Sequence, residues 1–375
     1  MTLLNSSHSL SAIGNSDRLV FASGEQSIDL HPVWLRERTT EEGTVDSGSA
    51  QRLYDPSELD ESLRATDITP GDSETVITWS DGHTQTVDHC SLAQELGWEP
   101  APTDIPWPTA WSVEPDPFPR LAWPDEGDDA AIAEALDAFW VHGFVVFTGT
   151  PTAVGTLENV ATRFGAIRET NFGQLFDVFS KPKPVDLAYT PIELKAHTDN
   201  PYRTPVPGIQ FLHCVVNDAT GGESTLVDGL AAFDDFAEMD PDGHAALTDT
   251  MVTYKYQYGD ERIVGRSPIL ETDRSGGFVG IRNSDRLDFV DPVDPDQLDV
   301  FYRARKSLRK LLNDPDRRAT FLLSAGDVMM MNNHRLLHGR NSYELTSGLR
   351  HLQGCYIELD GPELLSRKLK LSQNS

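Results

Sequence analysis

The chain has 375 residues, more than one hydrophobic core usually supports, which predicts a large domain together with a smaller one. Its 31 basic and 59 acidic side chains give a formal net charge of -28, which opposes binding to nucleic acid and to anionic lipid. The acidic excess is compatible with attraction of a cationic substrate, but solvation of the surface, as in a salt-tolerant organism, is the simpler interpretation.

The amino-terminal part carries short apolar runs separated by Gly and Asp, SIDLHPVWLRER at 27–38 among them, and these predict strands and turns. We therefore expect a small β-rich module over residues 1–97. Residues 98–124 are dense in proline, which cannot supply sheet donors or a continuous helix, so we expect a linker there. Residues 125–375 then form the large domain.

The large domain begins with a helix, a strand and a second helix. Segments 128–143 and 156–165 have helical periodicity and flank a buried-type strand at 144–149. From about residue 205 the pattern changes to short strands separated by Gly, Asp and Pro, with one clear helix over 295–315.

Two of the later strands are unusually apolar, PGIQFLHCVV at 207–216 and DVMMMNN at 327–333. Runs of this kind are typical of strands that are buried on both faces. Together with the helices they predict a mainly β fold with flanking helices, whose core is a double-sheet jelly roll or a cupin-like barrel.

The stretch AHTDNPY, residues 196–202, places His197 and Asp199 two positions apart, on the same side of an extended chain. An HxD triplet alone usually indicates only solvated polar residues at a strand end. A later apolar strand delivers His338, however. Two histidines and one carboxylate are the facial ligand set of non-haem Fe(II) oxygenases, which leaves the opposite positions open for cosubstrate and oxygen.

Arg350 follows His338 by twelve residues, which places it on the next strand. There its guanidinium can form a bidentate pair with a dicarboxylate bound beside the metal. His334 is the rival third ligand, but it lies further from Arg350 in the sequence. We interpret it as a loop residue or as a support for a ligand.

The chain resembles the gamma-butyrobetaine dioxygenase-like Fe(II)/2-oxoglutarate oxygenases. The resemblance covers most of the chain and is carried, in order, by RETNFGQLFDVFSK, LAYT, HTDNPYRTPVPGIQFLHCVVNDATGGESTLVDG, LLHGRNSY and RHLQGCY. It implies a jelly-roll double-stranded β-helix and a β-rich amino-terminal module. It also implies iron held by His197, Asp199 and His338, and 2-oxoglutarate anchored by Arg350 with help from Thr225.

The reaction implied by the resemblance consumes oxygen and 2-oxoglutarate, releases succinate and hydroxylates a substrate. Asp199 supplies a carboxylate where halogenating relatives leave room for chloride, so hydroxylation is expected. No catalytic side chain is expected beyond the metal site, because the oxidative chemistry belongs to the cofactor.

Aromatic residues indicate the substrate class. The family surrounds a trimethylammonium group with aromatic faces, whose quadrupole attracts a cation that cannot donate hydrogen bonds. Ordinary core packing is the alternative interpretation of such residues. The aromatic residues at the positions of the family's cage are Phe172, Phe176, Tyr189 and Tyr356.

The amino-terminal module departs from the family. Many relatives carry a cysteine-rich zinc-binding run after WLRD, but this chain has WLRERTTEEGTV, which puts Thr39, Glu41 and Thr44 at the thiolate positions. His83 is the one ligand of that set that remains. A structural zinc needs about four ligands, mostly thiolate or imidazole, so we expect no zinc and a module held by packing.

The far end of the substrate site departs as well. Where relatives offer neutral amides toward a carboxylate, this chain brings charged residues, Asp285 included, into the neighbourhood. Paired guanidinium N–H groups match two oxygens of a phosphonate. The residues expected to contact this end of the substrate are Asp186, Asn200, Arg282 and Arg286.

These departures favour (2-trimethylaminoethyl)phosphonate, hydroxylated at the carbon next to phosphorus as the first step of its breakdown. Gamma-butyrobetaine, which would give carnitine, is the second candidate substrate, and trimethyllysine is the third. A metal-free protein that only binds quaternary ammonium compounds is the alternative from another functional class.

Three cysteines, Cys90, Cys214 and Cys355, form neither a CxxC pair nor an even disulfide set, which indicates a reducing cytoplasm. No targeting segment and no apolar run of about 18 residues is present in the sequence. We therefore expect a cytoplasmic protein with a small cationic or zwitterionic substrate and no nucleic-acid or membrane partner. The oligomeric state is left open, with a homodimer as one possibility.

Overall fold

The protein is described here by a computed structural model that covers residues 8–13, 18–99, 105–179, 190–344 and 346–373. The chain divides into two compact units, Met1–Thr103 and Asp104–Ser375. Among the residues covered, no helix is both long and apolar enough to cross a membrane.

The first unit consists of two three-stranded antiparallel sheets, in the orders β1-β2-β3 and β4-β5-β6. Its elements are β1 (His8–Ile13), β2 (Arg18–Ser23), β3 (Gln26–Leu30), α1 (Pro32–Arg36), β4 (Ala65–Pro70), β5 (Glu74–Trp79), β6 (Thr84–Asp88) and α2 (His89–Glu95). Both sheets contribute to one core, in which Phe21 and Trp79 are buried. The β-rich character expected from the sequence is confirmed.

Helix α1 corrects the interpretation of residues 27–38 as strands and turns. Pro32 occupies the first turn of this helix, where its missing N–H has no partner to lose. Nδ1 of His31 accepts a hydrogen bond from the backbone N–H of Val33 at 3.2 Å and so caps the helix. These terminal signals outweigh the extended character of the residues before them.

The residues at the relatives' zinc positions contact one another through hydrogen bonds. The hydroxyl of Thr39 lies 2.9 Å from Nε2 of His83. A carboxylate oxygen of Glu41 accepts the backbone N–H of Thr86 at 2.7 Å, and the hydroxyl of Thr44 donates to the carbonyl of Glu41 at 2.5 Å. That this unit carries no zinc stays a prediction.

The second unit is a double sheet with helices on its outer faces. Its strands are β7 (Arg120–Ala122), β8 (Phe144–Thr148), β9 (Phe176–Val178), β10 (Leu194–His197), β11 (Ile209–Asn217), β12 (Ser224–Asp228), β13 (Val252–Tyr258), β14 (Glu261–Ser267), β15 (Leu270–Thr272), β16 (Phe278–Ile281), β17 (Asp288–Val290), β18 (Ala319–Phe321), β19 (Val328–Asn332), β20 (Leu336–Arg340) and β21 (Arg350–Ile357). Its helices are α3 (Asp129–His142), α4 (Thr156–Thr162), α5 (Gly229–Met239), α6 (Pro241–Asp249), α7 (Pro295–Leu312) and α8 (Asp360–Gln373).

Two sheets face each other in this unit. The larger has the strand order β7-β8-β19-β11-β21-β9, and the smaller has the order β10-β20-β12-β18. Because side chains alternate along a strand, Phe144 and Val146 point between the sheets, whereas Val145 and Phe147 pack with α3 and α4 on the outside. The predicted jelly roll is confirmed, and strands buried on both faces explain the unbroken apolar runs.

The proline-dense segment is only partly a linker. The structure places the boundary between Thr103 and Asp104, and the residues that follow belong to the second unit. Trp111 is buried in the core between the sheets, Phe118 packs there as well, and Arg120–Ala122 forms a parallel edge strand beside β8. Aromatic side chains between the prolines anchor this segment, which its proline content alone does not reveal.

Helices α5 and α6 cover the smaller sheet together with α7. Only α7 was expected from the sequence in this region. Asp228 caps the first turn of α5, and Asp240 caps α6, in which proline occupies the first turn. Phe236 and Phe301 bury the apolar faces of α5 and α7 in one cluster with Leu337 of β20.

Candidate metal and substrate site

The metal-site candidates meet where two strands of the smaller sheet pair. His197 is the last residue of β10, and the antiparallel register places it opposite His338 of β20. Nε2 of His197 lies 3.4 Å from Oδ1 of Asp199, and Nε2 of His338 lies 3.7 Å from the same oxygen. One ligand atom from each of the three residues falls within 4.8 Å of the others, the arrangement that one metal ion requires.

Asp199 is oriented by contacts from the larger sheet. Its Oδ2 accepts a hydrogen bond from Nε2 of Gln210 on β11 and another from the hydroxyl of Tyr356 on β21, at 2.7 Å. Its backbone N–H donates to Oδ1 of Asn333 at 2.9 Å, and Nδ2 of Asn333 donates to its carbonyl oxygen at 3.1 Å. These contacts leave Oδ1 directed toward the two histidines.

The protonation states of the triad suit a divalent metal. Burial lowers the pKa of His338 to about 4, which keeps its imidazole neutral near pH 7. Burial raises the pKa of Asp199, but the nearby imidazoles of His338 and His197 outweigh that effect and hold it below its usual range. Nδ1 of His197 is 2.9 Å from the carbonyl of Lys195, which favours a proton on Nδ1 and a free Nε2.

The residues present therefore fit Fe(II). Two imidazoles and one carboxylate supply the donor types of the facial triad, and all three ligands come from one end of the barrel. His334 does not belong to this cluster. It lies in the turn before β20, and its Nε2 is hydrogen-bonded to the carbonyl of Val206 at 3.0 Å.

A cavity with about 530 Å³ of empty volume connects His197, Asp199 and His338 with Arg350. Arg350 is only 6% exposed, and its Nε has no hydrogen-bond partner among the described residues. Burial lowers the pKa of this guanidinium, a cost that a bound carboxylate would offset. The orphaned donor beside the metal ligands fits a 2-oxoglutarate site.

Thr225, the expected helper of Arg350, lies on the other face of β12. Its neighbour Ser224 lines the cavity instead. In the antiparallel register Thr225 is opposite Gly339, where a Cβ would come within 2.7 Å of the threonine hydroxyl. Alternate side chains of a strand point to opposite faces, so the residue of β12 that faces the cavity is Ser224, one position before the expected Thr225.

A second cavity, with about 620 Å³ of empty volume, opens on the other side of His197 and Asp199. Five aromatic side chains line it, and their ring centroids lie 4.9 to 6.2 Å from their neighbours. In order around the wall they are Tyr356, Phe176, Phe172, Tyr256 and Tyr202. Three of these, Phe172, Phe176 and Tyr356, are positions that the sequence indicated.

The same cavity has a polar section. Asn200 and Ser284 are both buried, and Nδ2 of Asn200 and the hydroxyl of Ser284 have no hydrogen-bond partner among the described residues. Arg286 lines the cavity as well but is exposed, which puts it near the mouth. Two uncommitted donors and one guanidinium suit an anionic group on a ligand.

Arg282 has a different environment from the one expected. It is buried outside the lining of the aromatic cavity, paired with Glu271 at 2.8 Å, and it donates to the carbonyl of Pro201 at 3.3 Å. Asp285 is paired with Arg309 rather than directed into the cavity. Both residues therefore support backbone near the site. Asp186 and Tyr189 lie outside the described residues.

Sequence reasoning missed Tyr202, Tyr256, Gln210 and Asn333. Tyr202 is the last residue of AHTDNPY, and Gln210 lies within the apolar strand PGIQFLHCVV. A polar residue inside a buried strand was the signal that could have identified Gln210. Tyr256 and Asn333 reach the site only through strand pairing and a turn. No local pattern distinguishes them.

Comparison with known proteins identifies relatives of similar length. Residues 108–356 match the family described as Taurine catabolism dioxygenase TauD, TfdA family. The chain is 34% identical over 370 residues to a gamma-butyrobetaine dioxygenase of Pseudomonas sp. (strain AK-1), covering 95% of this chain and 93% of that relative. It is 28% identical over 340 residues to the mitochondrial trimethyllysine dioxygenase of Rattus norvegicus, covering 88% and 80%.

A solved structure shows the same fold. The crystal structure of AAD-2 in complex with Mn(II) and N-oxalylglycine superposes with a TM-score of 0.50 at 16% identity, over 62% of this chain and 90% of that chain. At that identity the likeness concerns the fold alone.

Proposed function

The chain belongs to the taurine catabolism dioxygenase TauD, TfdA family and is an Fe(II)- and 2-oxoglutarate-dependent dioxygenase, and we propose that it hydroxylates a small trimethylammonium compound carrying an anionic group. The observation that carries the substrate proposal is the aromatic cavity. Five ring-bearing side chains and two of the three metal-ligand residues line the same space. A trimethylammonium group has no N–H to donate, so ring faces are the partners that recognise its charge.

Each residue has a defined role in this proposal. Fe(II) with bound 2-oxoglutarate and oxygen supplies the hydroxylating chemistry. Arg350 and Ser224 bind the cosubstrate carboxylate, while Gln210 and Tyr356 keep Asp199 in its orientation. The aromatic wall excludes water and holds the cationic end, so that one carbon of the substrate lies at the metal.

The finer proposal names the anionic group as a phosphonate and the substrate as (2-trimethylaminoethyl)phosphonate. Arg286 at the cavity mouth can donate two parallel N–H bonds to phosphonate oxygens, and Asn200 and Ser284 offer further donors. Two carbons separate the cation from phosphorus, and the proposed site of hydroxylation is the one next to phosphorus. The alcohol formed would need a second enzyme that breaks the carbon–phosphorus bond.

Gamma-butyrobetaine is the second candidate, and the 34% identity over 95% of the chain to a gamma-butyrobetaine dioxygenase favours it. Its carboxylate would occupy the same polar section, where the neutral donors of Asn200 and Ser284 suffice for a single negative charge. The two candidates therefore differ in how strongly turnover depends on Arg286.

The test is succinate release and product mass measured with Fe(II), 2-oxoglutarate and each of four compounds. These are the phosphonate, gamma-butyrobetaine, trimethyllysine and a trimethylammonium alkane without an anionic group. We expect the highest kcat/KM with the phosphonate and a loss of about tenfold or more in Arg286→Gln, as for a charged hydrogen bond. The trimethylammonium alkane, which keeps the cation and lacks the anion, is the control, since its turnover should not depend on an anion-binding arginine.

Preference for gamma-butyrobetaine, with Arg286→Gln unimpaired, would contradict the phosphonate and leave the hydroxylase standing. Binding of these compounds without any succinate release above the substrate-free rate would instead support a binding protein and contradict the enzyme assignment.

A further inference from the structure

A β-turn carries three of the residues that line the aromatic cavity. It spans Ser284 to Leu287 and is closed by the Leu287 N–H, which donates to the carbonyl of Ser284 at 3.1 Å. Asp285 and Arg286 occupy its central positions. Ser284, Arg286 and Leu287 line the cavity, whereas Asp285 is directed the other way, toward α7.

This turn is joined to the metal ligands by the residue that precedes it. The carbonyl of Asn283 accepts the backbone N–H of Thr198 at 2.9 Å, and Nδ2 of Asn283 donates to the carbonyl of Ala196 at 3.2 Å. Thr198 is the residue between His197 and Asp199. The start of the turn is therefore anchored on the segment that holds both ligands.

The outer side of the turn is attached to α7 by two ion pairs. Asp285 pairs with Arg309, and Asp288, which follows the turn, pairs with Arg305 at 3.4 Å. The two arginines are one helical turn apart and so face the same side of α7. The Asp288 side chain is 4% exposed and that of Asp285 is 20% exposed, so both carboxylates are largely removed from water.

We propose that Arg309 and Arg305 are positioning residues, whose ion pairs with Asp285 and Asp288 hold the Ser284–Leu287 turn so that Arg286 and Ser284 face the substrate. Without the pairs, the central positions of the turn lose their attachment to the helix, and Arg286 is no longer held at the mouth. The predicted change in turnover rests on the proposed function, whereas the predicted loosening of the turn does not.

The chain offers a matched control. Arg317 follows α7 closely and pairs with Asp235 of α5, so it is also an arginine–aspartate bridge between a helix and its neighbour, but it does not touch the turn. Arg317→Met therefore removes the same kind of interaction elsewhere. Arg309→Lys retains the positive charge and should therefore hold the turn nearly as well as the wild-type arginine.

The first measurement is amide hydrogen exchange at residues 283–287, compared among wild type, Arg309→Met, Asp285→Asn and Arg317→Met without substrate. We expect exchange to accelerate by about three- to tenfold in the first two variants, as for a partly buried ion pair, and to be unchanged in the control. Normal exchange in Arg309→Met, or equal acceleration in Arg317→Met, would overturn the proposal.

The second measurement separates substrate positioning from folding. In Arg309→Met the KM for the trimethylammonium substrate should rise about three- to tenfold, while the KM for 2-oxoglutarate stays within about twofold. An unchanged substrate KM despite faster exchange would reject the positioning role. Absence of turnover in wild type would reject the proposed function. The exchange comparison would still decide whether Arg309 and Arg305 hold the turn.

Discussion

The metal end and the substrate end of the active site are built from different kinds of structure. His197 and His338 lie opposite each other on paired strands, and Gln210 and Tyr356 reach Asp199 from two strands of the facing sheet. The substrate end instead depends on turns, with Asn200 in a left-handed conformation (φ 50°) and Ser284 and Arg286 on a β-turn. Strand register fixes the metal end, whereas side-chain contacts between loops and helices fix the substrate end.

The two ends differ in how much change each can accept. A change in register would move every side chain of a strand to the opposite face, so the metal end tolerates little change. A turn held by ion pairs can change its residues while the barrel stays intact. We therefore expect changes at the metal end to abolish turnover and changes at the substrate end to alter affinity and preference.

The largest effect is expected from the ligands themselves. His197→Ala or Asp199→Ala should abolish iron-dependent turnover, because each removes one of three ligands and the rest cannot hold the metal in its facial arrangement. His334→Ala should keep a substantial part of the activity, since its Nε2 contacts only the carbonyl of Val206. Iron content and succinate release check both. An equal loss in all three variants would show that the third ligand is wrongly assigned.

The next largest effect concerns the support of Asp199. Gln210→Leu removes one of the two side-chain donors to Oδ2, so we expect Fe(II) affinity to fall by about 10- to 100-fold, as for other residues that orient ligands. Titration of the apoprotein with Fe(II) under anaerobic conditions measures it. Gln353→Leu is the control, because that buried glutamine lies on β21 and bonds to Asp177 and Gly155 instead. Similar losses in both variants would indicate general destabilisation.

The contrast between the two ends also explains how far the sequence could predict the structure. His197, His338 and Arg350 lie on strands, and Asp199 follows β10 by two residues. Their residue types and spacing, together with the family resemblance, predicted them as one site. The sequence could not decide which residue of β12 faces the cosubstrate, because side chains alternate along a strand. Thr225 and Ser224 are adjacent but point to opposite faces of β12. Resolving that choice requires the register with β20, which no local pattern contains.

At the substrate end, prediction failed where partners are distant in sequence. Arg282 and Arg286 look equivalent in GIRNSDRLDF, yet Glu271 draws the first away from the cavity. Tyr256 reaches the aromatic wall because β13 passes beside Tyr202, a contact between residues far apart in the chain. The fold class was predictable from apolar periodicity. Helices α1, α5 and α6 were not predicted, because their signals are the capping residues at their first turns.

A moderate effect is expected from the aromatic wall. Phe176→Ala and Tyr256→Ala should each weaken substrate binding by about 0.5 to 2 kcal/mol, the range for a cation held at ring faces, with iron binding unchanged. Tyr256→Phe keeps the ring and should remain close to wild type. Calorimetric titration of the substrate checks this. A loss in Tyr256→Phe as large as that in Tyr256→Ala would point to the hydroxyl rather than the ring.

The smallest effect tests the one-residue displacement at the metal end. Ser224 lines the cavity that contains Arg350, so Ser224→Ala should raise the KM for 2-oxoglutarate by roughly threefold to tenfold, the loss of one hydrogen bond to a carboxylate. Thr225→Val removes a hydroxyl that lies beside Gly339 of β20, on the face of β12 opposite to Ser224, and should leave that KM within about twofold. Because the two residues are adjacent on β12, damage to the strand would change both variants alike. Initial rates at varied 2-oxoglutarate separate the cases, and a larger rise in Thr225→Val would mean that the cosubstrate lies on the opposite face of β12 from His338.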